Sequence, residues 1–144
     1  MFSIQLATER NLEEICPLGH IAQQSDERRA FIQRSIAAKS CYIAIDKLIL
    51  GYAVLEYSFY QMGFISMLYI HPDRRGQGIG AALMQHLESI CRTEKLFTST
   101  NLSNMKMQSL LAKLGYKLSG VIYDLDENDP ELVYVKYLTG NIKS

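Results

Sequence analysis

Residues Met67 to Leu87, MLYIHPDRRGQGIGAALMQHL, join an apolar run to an arginine-glycine loop that opens directly into an amphipathic helix. The rest of the chain is organised around this stretch, because the order of strand, loop and helix is set and the loop carries a chemical bias. Gly76, Gly78 and Gly80 lack a Cβ, so the backbone can bend through unusual φ/ψ and approach a ligand closely. The first-turn amides of a helix have no intrahelical acceptor and point outward. With the positive end of the helix dipole and two arginines, Arg74 and Arg75, the segment suits an anion, and a phosphorylated ligand is its natural occupant.

Three phosphate-binding designs use such a loop. A Walker loop needs Gly-Lys-Ser/Thr at its end, with the lysine on the phosphates and the hydroxyl on magnesium, and no Lys-Ser/Thr follows these glycines. A dinucleotide fingerprint fits superficially, since Gly76, Gly78 and Ala81 satisfy GxGxxA and Glu94 lies near where an acid would hold a ribose. The loop falls mid-chain, however, and the sequence beyond it has room for one more helix before it turns to strands. A doubly wound sheet does not fit there.

The third design is a resemblance. Arg75-Gly76-Gln77-Gly78-Ile79-Gly80, preceded by His71-Pro72, resembles the (Arg/Gln)-x-x-Gly-x-(Gly/Ala) signature of the GNAT superfamily of acyl-CoA-dependent N-acyltransferases. Asn104 to Tyr116, NMKMQSLLAKLGY, is similar to the second conserved block of that family, an Asn opening a helix that ends in Lys-x-Gly-aromatic. The resemblance is most specific over residues 63 to 116. It implies an α/β (α+β) fold: one domain over residues 1–144, with a mixed, mostly antiparallel central sheet of six to seven strands flanked by about four helices.

Composition sets bounds on this reading. A chain of 144 residues, 48% hydrophobic and 21% charged, has the apolar material for the core of one globular domain. Its formal net charge is zero, so no general field draws it to nucleic acid or to an anionic membrane. No apolar run approaches the roughly 18 residues of a membrane span, and the first residues lack a basic region followed by an apolar core, so the cytoplasm is expected. Cys16, Cys41 and Cys91 are odd in number and widely spaced, which predicts buried thiols and no metal site.

Along the chain, Ile4 to Ala7 reads as a first strand. Asn11 with Glu14 makes a capping box for a helix that turns Leu12 and Ile15 inward, before Pro17 and Gly19 interrupt it. A second helix starts near Ser25, with Phe31, Ile32 and Ile36 toward the core. Cys41 to Asp46 and Leu48 to Tyr57 form a hairpin, Tyr60 to Gly63 supplies the next turn, and Phe64 to Ile70 is the apolar central strand. Ile79, Leu83, Leu87, Ile90 and Cys91 then share one helical face. After a strand at Lys95 to Thr100, a second stripe of Met107, Leu110, Leu111 and Leu114 ends at Gly115. Strands near Lys117 to Leu125 and Leu132 to Leu138 flank an acidic loop.

The resemblance implies acetyl-CoA as cosubstrate, its pyrophosphate on the amides of Arg75, Gly76, Gln77, Gly78, Ile79, Gly80 and Ala81. Its pantetheine would run along Leu68, Tyr69 and Ile70, pairing with backbone groups of Leu68 and Ile70, and Asn104 would bind it from the other side of the cleft. Transfer to an amine requires the reactants in line, the amine deprotonated and the developing charges stabilised. Many members place a tyrosine acid four residues before the second-block glycine; this chain has Leu111 there, so Tyr116, Tyr123 or Tyr69 substitutes, or no acid is used. The central strand holds no carboxylate, which leaves Glu56 as candidate base, working through water. Catalytic candidates are therefore Glu56 and Tyr116. The acceptor is a small-molecule or peptide amine, cationic if the five carboxylates Asp124, Asp126, Glu127, Asp129 and Glu131 border it. A homodimer is compatible with this reading. The competing class is a CoA-binding regulatory or interaction module that has lost catalysis.

Overall fold

The computed structural model describes residues 1–16 and 26–138. The expected interruption at Pro17 and Gly19 and the expected cap at Ser25 lie outside them. In order, the described elements are β1 (Ser3–Leu6), a 3-10 turn (Glu9–Asn11), α1 (Leu12–Ile15), α2 (Asp26–Ala37), β2 (Cys41–Asp46), β3 (Leu48–Phe59), β4 (Met62–Ile70), a second 3-10 turn (Pro72–Arg74), α3 (Ile79–Ile90), β5 (Lys95–Asn101), α4 (Met105–Lys113), β6 (Lys117–Ile122) and β7 (Glu131–Tyr137). The strands form one seven-stranded sheet in the order β1-β2-β3-β4-β5-β7-β6, the mixed α/β architecture the sequence implied. By contacts the chain divides into two compact units, Met1–Leu55 with Met67–Leu87, and Glu56–Ser66 with Glu88–Ser144. Among the described residues no helix is long and apolar enough to cross a membrane.

In the first unit β1 pairs antiparallel with β2, from Ser3 opposite Ile45 to Leu6 opposite Tyr42. The β2–β3 hairpin turns at Lys47, which has φ of 66°. Ile15 of α1 and Ile32 of α2 are wholly buried against Cys41, Ile43, Tyr52 and Val54, and Met67 and Tyr69 of β4 pack on the same cluster. The expected capping box is displaced by one turn. The Asn11 side chain accepts from the Thr8 amide at 2.7 Å, so it closes a box that Thr8 opens and forms none with Glu14. The 3-10 turn before α1 explains the shift, because it places the first unpaired amides at Thr8.

In the second unit β4 runs parallel to β5, with Gly63, Phe64 and Ile65 opposite Leu96, Phe97 and Thr98, and the buried Thr98 hydroxyl donates to the Ile65 carbonyl at 2.9 Å. β7 pairs antiparallel with both β5 and β6. β3 extends past the expected Tyr57 because Phe59 stacks on Phe64 at 4.7 Å and meets Phe97 at 5.2 Å. The turn shrinks to Tyr60 and Gln61, both at positive φ, the geometry of a two-residue hairpin loop. β6 stops at Ile122, short of the expected Leu125, and Asp124 at φ 71° begins the acidic loop. α4 opens at Asn104, whose side chain accepts from the Met107 amide at 3.0 Å, and Gly115 beyond its end takes φ of 92°.

Candidate anion site and acid–base residues

The apolar half of β4 in the first unit delivers the chain to the loop. Gly51 of β3 is required there, since a Cβ on it would lie 2.6 Å from the Tyr69 carbonyl oxygen. The His71 amide donates to the Leu50 carbonyl at 2.7 Å, which fixes where β4 ends. The His71 Nδ1 then accepts from the Asp73 amide at 3.1 Å, so His71 holds the 3-10 turn and stands as a loop residue. Arg74 Nε donates to the Gln77 side-chain oxygen at 3.1 Å, tying the loop across its own bend.

Arg75 is positioned by two contacts. Its Nε donates to the Ile70 carbonyl at 3.0 Å and its guanidinium lies 5.5 Å from the Tyr69 ring centroid, which leaves the two terminal nitrogens as the outward donors. Gly76 and Gly78 take φ of 79° and 81°, a region that residues with a Cβ rarely enter, and open space lies where their side chains would be. The first backbone bond into α3 runs from the Ala82 amide to the Gly78 carbonyl, and the preceding amides through Ala81 find no backbone acceptor among the described residues. Ile79 is buried and anchors α3, while Gly80 and Ala81 in its first turn are half-buried. First-turn amides without a backbone acceptor among the described residues, the dipole of a twelve-residue helix and a guanidinium held by Ile70 and Tyr69 make a donor set that fits a diphosphate.

Leu68, Tyr69 and Ile70 therefore join Arg75 to Ala81 on one strand-loop-helix segment of the first unit. Glu56, Asn104 and Tyr116 belong to the second. Glu56 is half-buried on β3 and accepts from the Ser58 hydroxyl at 3.0 Å. Asn104 spends its side-chain oxygen on the α4 cap, so its amide group is what it can offer a ligand. Tyr116 is 5% exposed and donates to Glu88 Oε2 at 2.9 Å, while Lys136 Nζ donates to Glu88 Oε1 at 2.9 Å. Burial first, then the charge and hydrogen bond of Glu88, push the Tyr116 hydroxyl far above its ordinary value. Leu111, at the position of the family tyrosine, has no exposed surface and is a core residue.

Sequence reasoning missed Glu88, since a helical-face pattern says nothing of partners 28 and 48 residues away. It also missed Tyr57, whose hydroxyl accepts from the Arg92 amide at 3.1 Å under the Arg92 guanidinium, and Ser66, whose buried hydroxyl finds no partner among the described residues. Cys16, Cys41 and Cys91 are free and buried. Among the described residues no three His, Cys, Asp or Glu side chains are grouped to hold a metal ion. In the acidic loop, Asp129 accepts from the Ser103 amide and hydroxyl at 3.0 and 2.6 Å, and Asp126 accepts from Asn101 at 2.9 Å. Two of the five carboxylates are thus committed to the turn that precedes α4.

Comparison with known proteins agrees with this geometry. Residues 6–116 match the acetyltransferase (GNAT) family. The fold is similar to that of a GNAT-family acetyltransferase from Bacillus cereus, at 30% identity and a TM-score of 0.89, covering 95% of this chain and 97% of that one. It is also similar to yncA of Salmonella typhimurium, solved with its cofactor acetyl-CoA, at 14% identity and a TM-score of 0.76, covering 96% and 95% of the two chains. A third is the ribosomal-protein-S18-alanine N-acetyltransferase of Escherichia coli, at 16% identity and 0.78, with both chains covered in full. No curated protein matches the sequence. With a family match over more than three-quarters of its length, on a sheet and loop of the same construction, this chain belongs to the acetyltransferase (GNAT) family.

Proposed function

We propose that the chain, acting as one domain in the cytoplasm, is an N-acetyltransferase that moves an acetyl group from acetyl-CoA to a primary amine of a small molecule or peptide, by direct attack in a ternary complex. The observation that carries this reading is the pair of left-handed glycines, Gly76 and Gly78, ahead of first-turn amides of α3 that find no backbone acceptor among the described residues. Acetyl-CoA, when bound, supplies the acyl group activated as a thioester. The amides of Gly76 to Ala81 and the Arg75 guanidinium hold its diphosphate. The β4 backbone at Leu68 and Ile70 orients its pantetheine, and Asn104 adds a contact through its amide group.

Glu56 is our candidate base, taking the amine proton through water; its carboxylate accepts from the Ser58 hydroxyl. Tyr116 is the other acid–base candidate. Its proton is committed to Glu88 and firmly held, which favours a reaction in which no side chain protonates the departing sulfur. A cationic acceptor is supported by Asp124 and Glu127, exposed and outside the internal bonds that hold Asp126 and Asp129. The test is release of free CoA from acetyl-CoA across a panel of amines, scored also by the mass of the acceptor. Glu56→Gln should lower kcat at least tenfold, and Tyr116→Phe should leave it within a few-fold. Acetyl-CoA binding with no turnover on any amine would sink the enzyme and leave a CoA-binding regulatory module.

A further inference from the structure

We propose that two copies of this chain associate through antiparallel pairing of their β6 strands about a two-fold axis. β6 is the terminal strand of the sheet and mostly exposed: one backbone edge bonds β7, and the other meets no strand among the described residues. Such an edge is a template for a further strand unless charge, proline or a cover blocks it. Within Lys117–Ile122, KLSGVI, the one charged residue stands at the first position, and Leu118, Val121 and Ile122 are 54%, 39% and 40% exposed.

The irregularity between Leu118 and Gly120 arranges these residues. In a regular strand Leu118 and Val121 would lie on opposite faces. Here Leu118 stands opposite Tyr134 and Val121 opposite Leu132, residues two apart on β7, so both apolar side chains share one face. An antiparallel register that opposes Leu118 with Val121 of a second copy gathers four apolar side chains on that face. It also puts Ser119 and Gly120, the smallest residues of the strand, at the axis.

Charge selects the second copy over other occupants. The start of β6 is basic, with Lys117 and Lys95 at 5.2 and 5.3 Å from the Tyr137 ring, and its end leads into the exposed acids Asp124 and Glu127. An antiparallel copy sets basic end against acidic end twice, by symmetry. A partner of uniform charge matches one end and repels the other. With zero net charge there is no long-range repulsion between copies.

The experiment is sedimentation of the full-length chain across a micromolar concentration series at low and high salt, with hydrogen exchange at the two ends of that series. The mass should rise from 16.4 kDa toward twice that value, less so in high salt, and the β6 amides should gain protection with concentration. Val121→Lys should give a monomer. Lys117→Glu should raise the dimer dissociation constant about tenfold, and Lys117→Glu with Asp124→Lys should restore it. A monomer at every concentration overturns the proposal, and so does a dimer in which β6 protection does not change or Val121→Lys has no effect. Should a variant misfold, the wild-type exchange pattern still decides.

Discussion

Replacing Gly78 by valine separates loop conformation from simple bulk. At φ 81°, with nothing within 4 Å of where a Cβ would stand, the side chain has room and the cost falls on the backbone. Holding an L-residue in the left-handed region costs roughly 1–2 kcal/mol. For a chain of this length 1 kcal/mol moves Tm by about 2–4 °C, so the free variant should melt about 2–8 °C lower. Relief of that strain requires φ to turn negative, which swings the Gly78 and Ile79 amides away from the diphosphate position. A ligand at a hundred times its Kd stabilises the native state by about 2.7 kcal/mol, or about 5–11 °C here. By differential scanning fluorimetry, wild type should show that rise with acetyl-CoA and Gly78→Val should lose most of it. Gly120→Ala, at an open position with ordinary φ and far along the chain from the loop, should keep the wild-type rise with acetyl-CoA. A Gly78→Val protein that retains the full rise would refute the loop as the diphosphate site, and a rise with NADH instead of acetyl-CoA would return the dinucleotide reading.

Three further outcomes are expected. Arg75→Ala should weaken acetyl-CoA binding by about 1.5–3 kcal/mol in titration calorimetry, the range of a hydrogen bond to a charged group, without abolishing it. Leu111→Tyr inserts a larger, polar side chain into a site with no exposed surface, so urea unfolding should show a loss of roughly 1–3 kcal/mol; wild-type stability with faster turnover would mean that position 111 opens toward the site. Burial raises the Cys41 thiol from its ordinary 9.0 to about 11, so the unfolded chain ionises first as pH rises. The associated stability is complete below pH 9 and is lost by pH 11, about 2.7 kcal/mol in all at roughly 1.4 kcal/mol per pH decade, and Cys41→Ala should flatten that part of the pH–stability curve.

What the sequence disclosed was mostly local. The loop was legible because glycine spacing, the arginines and the onset of a 3.6-residue pattern are adjacent in the chain, and Asn104 because a cap lies within one turn of its helix. Element ends were set by contacts that no window contains: Phe59 stays in β3 to reach Phe64 and Phe97, and Thr8 takes the cap expected of Asn11. The acid–base residues were the least legible. Tyr116 looked available by its place in the second block, but its availability depends on Glu88, which a face-by-face reading of α3 left without a role.

The Glu88 cluster also restricts how this sequence can drift. One carboxylate at the end of α3 serves Tyr116 after α4 and Lys136 in β7, so three distant positions act as a single heritable unit. Loss of Glu88 alone leaves the Tyr116 hydroxyl and the Lys136 ammonium without their acceptor, and an unmet buried group costs about 1–3 kcal/mol, a large part of the margin by which a domain stays folded. Descendant sequences should lose the acid at 88 only after Tyr116 has become Phe and Lys136 an apolar residue. In a lineage that follows this order, substitutions at 88, 116 and 136 will co-vary more tightly than any of them does with its own neighbours in the chain.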